Sequence, residues 1–329
     1  MRVLVTGGAG FIGANLCHEL AAHPEITAVI ALDDLSTGSA ENLRWVAAQL
    51  VKGSILDRDL LTDIVDSVDA VVHLAALPSV PRSLADPVRT HEVNATGTVY
   101  VLEACRRKSR YVVAASSSSV YGAVSVSPKH EGLPTRPLSP YAMSKLAAEA
   151  GVLAYGAAYN LPTLALRFFN VYGPLQSAGH AYAAVIPTFI ASALQGEPLQ
   201  IHGDGCQVRD FTFVRTVTSV LVEAVLRQVT SSLPINLAFG TRVSIAELVE
   251  RIATATGLHL EIMKGPARAG DVRHSQADGT RLNTLFPTIR PVSLDEGLTE
   301  TVAWFRQTWQ GLDGVPGSRR PSQVEEVKS

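Results

Sequence analysis

The chain has 329 residues, 47% of them hydrophobic and 18% charged, with a formal net charge of −2. That is ample for a large buried core, in one large domain or two moderate ones. It excludes a strongly basic surface, so neither nucleic acid nor an anionic membrane is expected as a partner. Three cysteines, Cys17, Cys105 and Cys206, lie far apart without CxxC spacing, which supports neither a zinc site nor a disulfide framework, and no metal is expected. The opening MRVLVTGG reads as a buried strand rather than a signal peptide. No apolar run is long enough to span a bilayer. A reduced, cytoplasmic setting is the expectation.

Val3–Val5 reads as a strand and Ile12–Ala22 as a helix. Ala28–Leu32, Ala70–Leu74 and Tyr111–Ala115 follow as strands. Continuous β-branched runs separated by helical stretches predict a parallel sheet buried on both faces. The fold class is therefore α/β, a doubly wound parallel sheet of the Rossmann kind. After about residue 170 the alternation loosens. Pro174, Pro187 and Pro198 arrive with many glycines, Gly173–Gly179 reads as loop, and Ile235–Leu237 and Ile245–Thr256 continue as strand and helix. The expected organisation is a first domain over 1–170, to which the chain returns in part around 210–240. A smaller mixed α/β domain mainly fills 171–313, and a Pro-, Ser- and charge-rich mobile tail covers 314–329.

The first strand runs into Gly7-Gly8-Ala9-Gly10-Phe11-Ile12-Gly13. A tight turn needs a residue without Cβ, the backbone must come close to a pyrophosphate, and the next helix turns its N-terminal N–H groups toward that phosphate. Glycine spacing alone is weak, but here it follows a strand and opens a helix. Asp33 stands twenty residues after Gly13, at the end of the second strand. An acid there accepts from adenosine ribose hydroxyls and repels a 2′-phosphate, and Asp34 adds to that preference, so NAD is favoured over NADP.

Tyr141-Ala142-Met143-Ser144-Lys145 places a tyrosine and a lysine four apart, on one face of a helix. The lysine cation is expected to lower the tyrosine pKa from about 10 toward neutrality, making a base for a sugar hydroxyl. Upstream, Ser116-Ser117-Ser118-Ser119-Val120-Tyr121-Gly122 follows the strand Tyr111–Ala115. Strand C-terminal ends form the ligand crevice of a doubly wound sheet, and serine hydroxyls there reach both base and substrate.

Together these motifs resemble the extended short-chain dehydrogenases/reductases of the NAD-dependent epimerase/dehydratase family, in particular the UDP-N-acetylglucosamine and UDP-glucose 4-epimerases. The resemblance covers nearly the whole chain. It adds LDDLSTG with Asp33, HLAAL at His73–Leu77, SPYAMSK, LRFFNVYGP at Leu166–Pro174, HGDGCQVRDFTFV at His202–Val214 and ARAGD at Ala267–Asp271. It implies that Ser117, Tyr141 and Lys145 are catalytic, with Tyr141 as base and Lys145 its electrostatic partner on the nicotinamide ribose. It implies NAD as cofactor, held by Gly7, Gly10, Phe11, Ile12, Gly13, Asp33, Ser36, Gly38, Ser54, Ile55, Leu74, Ala75 and Ala76 with Tyr141 and Lys145. The first domain is then NAD-binding and the second substrate-binding. A UDP-sugar is implied as the partner, met by Ser79, Ser118, Ser119, Asn170, Ala184, Val185, Arg209, Arg268, Asp271 and Ser275. Guanidinium groups suit a diphosphate, and a carboxylate suits ribose hydroxyls.

Gly179–Pro187 resembles the loop that epimerases of N-acetylated sugars place over the nucleotide, and Ser79–Ser83 is similar to their segment after the fourth strand. Ser275 stands where glucose-restricted epimerases carry a tyrosine, leaving room for a 2-acetamido group that Ser118 and Ser119 are placed to bind. The expected activity is 4-epimerisation through a transient 4-keto sugar and bound NADH. The alternatives are a 4-epimerase of UDP-glucuronate or UDP-N-acetylglucosaminuronate, and a non-catalytic NAD-binding sensor. The uronate epimerases usually show Thr where Asn170 stands and an Arg-Pro-Asp-Met loop that this chain lacks. Ser118-Ser119 replaces the Asp-Glu of the 4,6-dehydratases and the glutamate of the decarboxylases. Ser54 replaces the usual aspartate of the adenine pocket, with Asp57 as its nearest substitute. Asp34 stands where Asn is frequent. A homodimer is also implied, pairing the Ala-rich stretches Val88–Arg107 and Ala142–Ala158 across a two-fold axis.

Overall fold

A computed structural model describes residues 1–178, 183–266 and 274–313. Its centre is a seven-stranded parallel sheet. Six strands come from the first half: β1 (Arg2–Thr6), β2 (Ala28–Asp33), β3 (Gln49–Lys52), β4 (Ala70–His73), β5 (Tyr111–Ser117) and β6 (Thr163–Phe168). The strand Ile235–Leu237 completes one edge, pairing with β6. The order from that edge is Ile235–Leu237, β6, β5, β4, β1, β2, β3. The chain therefore moves outward from β1 in one direction and then, from β4, in the other. The crevice at the C-terminal ends of β1 and β4 is the topological switch point, where ligands of such sheets bind.

Alternate residues of each strand feed two cores. Val3, Val5, Val72 and Val113 face one, built with α1 (Phe11–Ala22) and the helix Val214–Arg227. Leu4, Val71 and Val112 face the other, built with α2 (Arg58–Asp66), α5 (Gly97–Arg106) and α6 (Pro140–Tyr159). Burial on both faces explains why β1, β4 and β5 read as unbroken apolar runs. The three central valine pairs are each worth several kcal/mol of apolar burial.

A third core lies C-terminally, where Phe189, Ile190, Leu248, Ile252, Leu298 and Phe305 pack the helices Val185–Gln195, Ile245–Thr256 and Leu294–Asp313 together. The connection is a short parallel pair, Asn170–Tyr172 with Phe211–Phe213. The helix Val214–Arg227 then returns the chain to the first core, before the strand Ile235–Leu237 joins the sheet.

One expected helix differs. The stretch read as Val88–Arg107 is α4 (Pro87–His91), a π segment over Glu92–Thr96, and then α5. Such bulges re-aim side chains, and this one turns Val93, Asn94 and Ala95 inward. Among the described residues no helix is long and apolar enough to cross a membrane. The three cysteines are unbridged. The segments 179–182, 267–273 and 314–329 lie outside the described residues. They contain Arg268, Asp271, part of the Gly179–Pro187 loop and the C-terminal stretch.

Candidate active site

The glycine loop closes as its spacing requires. Gly7 sits at φ 70°, and a Cβ on Gly13 would lie 2.1 Å from the Gly7 carbonyl oxygen. Gly10 is the N-cap of α1, so Phe11 and Ile12 form its first turn, and Gly38 packs against Ala9 and Gly10. Asp33 is pinned at the end of β2, where its carboxylate accepts the backbone N–H of Ala9 at 2.9 Å and of Leu35 at 2.8 Å. Beside it opens a cleft lined by Gly7, Asp33, Ser36, Ser54, Ile55, Ala75 and Ala76 among the residues expected from the sequence. Asp34 and Gly53 line it too, and Leu32, Thr37, Leu77 and Val93 line it without having been anticipated. A strand–glycine–helix turn with no space for a Cβ, beside a cleft ending in a fixed carboxylate, fits a dinucleotide with free ribose hydroxyls.

Two local details stand beside these. Asp57 caps α2, its carboxylate accepting the Leu60 N–H at 3.0 Å, and Ser54 lines the cleft itself. The Ser36 hydroxyl donates to Asp34 at 2.6 Å, which orders the turn after β2.

The loop after β4 is braced from behind. His73 Nδ1 meets the Thr6 hydroxyl at 2.7 Å and Nε2 meets the Thr98 hydroxyl at 3.0 Å. Thr98 donates to the Asn94 carbonyl at 2.6 Å, and Thr6 accepts the Ala75 N–H at 3.3 Å. These partners assign the ring proton to Nε2. Asn94 accepts the Leu77 N–H at 2.7 Å and donates to Ser144 Oγ at 3.0 Å. The π segment thus ties the Leu74–Leu77 loop to α6. Ser79 follows at φ 102°, a conformation L-residues rarely adopt, with its side chain capping α3 (Val80–Ala85).

Burial, then the charge of Lys145, pushes His73 down to about 3, so it stays neutral. Its folded value lies below its unfolded one. Its contribution to stability is therefore present above pH 6.5 and lost as pH falls toward 3, up to ~3 kcal/mol by pH 4. In His73→Gln the denaturation midpoint should change less with pH across that window than in the wild type. Parallel curves would remove His73 from the acid response.

Tyr141 and Lys145 lie in the first two turns of α6, opened by Ser139 as N-cap and Pro140 at its first position. Ser117 ends β5 and caps the following 3₁₀ turn, Ser118–Tyr121. The Ser117 hydroxyl oxygen accepts from Ser119 Oγ at 2.8 Å and from the Ser119 N–H at 3.2 Å. Its own proton is then left for the Tyr141 phenol, which the Ser117 hydroxyl draws downward in pKa. The expected sequence serine, tyrosine and lysine are therefore brought together at the ends of β5 and α6.

The electrostatics correct one expectation. Tyr141 is held above, not below, its ordinary value, because burial outweighs the hydrogen bond from Ser117. Lys145 is itself 6% exposed, and burial pulls its ammonium down to about 8 against the opposing charge of Glu149. The phenol's own loss of hydration sets this direction, and the Ser117 hydroxyl opposes it only in part.

On the far side, Val208–Arg209 pairs with His274–Ser275, and Arg209 and Ser275 are register partners. Asp210, fully buried, organises this corner. Its carboxylate accepts from Thr241 Oγ1 at 2.7 Å and from the Ala277 N–H at 3.0 Å. Its carbonyl accepts from Asn170 Nδ2 at 3.0 Å. Burial raises Asp210 to about 6. Asn170, Arg209 and Ser275 are thereby fixed to one another. Ala184 is the N-cap of the helix that Val185 begins. Arg268 and Asp271 lie outside the described residues.

Comparison with known proteins agrees with this geometry. A sequence model described as the NAD dependent epimerase/dehydratase family matches residues 3–238. A UDP-glucose 4-epimerase from Mycolicibacterium smegmatis is 38% identical, over 94% of this chain and 100% of its own length. A UDP-N-acetyl-alpha-D-glucosaminuronate decarboxylase from Bacillus cytotoxicus is 33% identical, over 93% and 98%. Among solved structures, the UDP-N-acetylglucosamine 4-epimerase from Methanobrevibacter ruminantium M1, in complex with UDP-N-acetylmuramic acid, superimposes with a TM-score of 0.88. It shares 35% identity and covers 93% of this chain and 98% of its own. With the glycine cradle, the fixed carboxylate and the seven-stranded sheet already in place, the match decides the matter: the chain belongs to the NAD dependent epimerase/dehydratase family.

Proposed function

We propose that this protein is a nucleotide-sugar 4-epimerase that interconverts UDP-N-acetylglucosamine and UDP-N-acetylgalactosamine, and takes UDP-glucose and UDP-galactose in the same pocket. The observation that carries it is the Ser117 hydroxyl, bonded to Ser119 at the end of β5 and acting on the Tyr141 phenol, with Lys145 one turn further on along α6. This run lies beside the dinucleotide cleft. In this reading residues 1–170 and the returning segment at 210–240 form the cofactor half, and 171–313 form most of the substrate half.

Gly7, Gly10, Gly13 and Asp33 would hold NAD, with Ser54 and Ile55 along the adenosine side. Bound there, NAD would supply a reversible hydride acceptor for the sugar C4. Tyr141 takes the proton of the 4-hydroxyl and later gives it back. Ser117 donates to the phenolic oxygen and so favours its ionised form. Lys145, when charged, adds a positive field on the same helix face. Arg209 and Asn170 would hold the diphosphate end while the 4-keto sugar turns over. Ser275, a register partner of Arg209, leaves space for an acetamido group.

Relatives in this family also act on uronates, so a UDP-uronate 4-epimerase is the second reading. Ser118 and Ser119 in place of acidic residues argue against dehydration and decarboxylation. Product analysis with UDP-glucose, UDP-N-acetylglucosamine, UDP-glucuronate and UDP-N-acetylglucosaminuronate separates the readings. Fast epimerisation of the N-acetylated neutral sugar is expected. Conversion of the acids alone would move the chain to the second reading. Bound NAD without any turnover would favour a sensor.

The helices also offer a face for a second copy. Val88, Val99, Met143 and Tyr159 are 78%, 38%, 46% and 53% exposed on α4, α5 and α6. Sedimentation at twice the monomer mass is the expected result; a monomer would refute the pairing.

A further inference from the structure

Glu149 lies on α6 two turns beyond Tyr141 and one turn beyond Lys145, on the same helix face, and is 4% exposed. Its carboxylate is held on every side. Arg167 of β6 donates from Nη2 to Oε1 at 2.6 Å and from Nε to Oε2 at 2.8 Å. Ser116 of β5 donates its hydroxyl to Oε2 at 2.6 Å. One side chain thus joins three elements. The residue after Ser116 is Ser117, and α6 carries both Tyr141 and Lys145.

The groups around it are few and identifiable. On α6 they are Lys145 and Tyr141, and on β6 Arg167, whose guanidinium lies 4.7 Å from the centre of the Tyr121 ring. From β5 comes Ser116. From β4 comes His73, which lies in the same closely packed layer as Glu149, with Thr98, Ala148 and Val152. His73 is neutral, so the acid of this group facing Lys145 is Glu149.

We propose that Glu149 is a positioning residue for the reaction. It holds the serine-bearing strand against the tyrosine–lysine helix and keeps Lys145 in its charged form from behind. Its charge opposes the burial that pulls Lys145 down to about 8, so without it the ammonium would lose its proton at a lower pH. A bidentate, buried guanidinium partner and the Ser116 hydroxyl fix the Glu149 carboxylate in place on this face of α6.

The inference rests on Tyr141 and Lys145 being the working pair. The test measures kcat and KM from about pH 6 to pH 10 for wild type, Glu149→Gln and the double variant Glu149→Gln/Arg167→Met. The double variant removes both buried charges, so no guanidinium is left unpaired. The expected result is an alkaline limb of kcat displaced downward by about one pH unit in both, with kcat at pH 8 about fivefold lower and KM within about threefold. An alkaline limb at its wild-type position, an equal loss at every pH, or a KM effect with kcat intact overturns the proposal. Tyr141→Phe, run alongside, separates the two levels: an active Tyr141→Phe defeats the reading of the site itself. An inactive Tyr141→Phe with an unmoved Glu149→Gln limb defeats only the role of Glu149.

Discussion

Tyr141→Phe should lower kcat for epimerisation by about three orders of magnitude while the protein still folds and still retains NAD. The substitution removes one oxygen and keeps the ring that packs at the start of α6. The dinucleotide cradle is formed by other residues, Gly7, Gly13 and Asp33 among them. What is lost is the atom to which Ser117 donates. Ser117 keeps its two acceptor bonds from Ser119, but a serine hydroxyl is a far weaker base than a phenolate. Residual turnover should therefore come from orientation alone. Chromatography of product epimers gives the rate, and ultraviolet absorbance of the purified protein gives the cofactor content. A Tyr141→Phe enzyme within tenfold of wild type would exclude the phenol as the base. Loss of NAD together with activity would mean that Tyr141 serves binding more than chemistry.

Much of this geometry was legible in the chain because local rules and fold rules agree in its first half. Glycine positions in Gly7–Gly13 and the acid Asp33 are dictated by backbone approach and hydrogen bonding, which short motifs encode. The tyrosine–lysine spacing is dictated by the helix period. Less was legible where burial decides. The strand Gln49–Lys52 at the sheet edge is only partly buried and carries no strong apolar run, so it went unseen. The π segment at Glu92–Thr96 has no composition signal, and with it went Val93 at the cleft and Asn94 behind the Leu77 loop. The direction of the Tyr141 shift was misjudged because helix spacing says nothing about how deeply the phenol itself is buried. Glu149 shows a missed extension: a third polar residue at the same four-residue interval as Tyr141 and Lys145. A repeat of that length on one face was the signal that could have found it.

The same buried group carries the largest expected stability effect. Arg167 and Glu149 are each 3% exposed at their side chains, and Arg167 Nη1 finds no partner. Such a pair has lost hydration at both ends, and its mutual attraction offsets that loss only when the geometry is good. Here it is: two parallel donors at 2.6 and 2.8 Å, with Ser116 completing the carboxylate. Arg167→Ala leaves Glu149 buried with one hydroxyl for company. The expected cost is about 3–5 kcal/mol, or a fall of about 10 °C in Tm for a chain of this size. The lost stacking of the guanidinium on Tyr121 adds to it. Replacing both charges, as in Glu149→Gln/Arg167→Met, should recover most of that stability, because no uncompensated charge remains in the interior. Thermal denaturation of Glu149→Gln, Arg167→Met and their double variant measures the coupling between them. If Arg167→Ala costs under about 1 kcal/mol, water must reach Glu149, and the carboxylate is then screened from Lys145 as well. A double variant that is stable yet slow would separate what the pair does for the fold from what it does for the reaction. The ion pair would then be retained for the charge it presents to Lys145 rather than for the packing it provides.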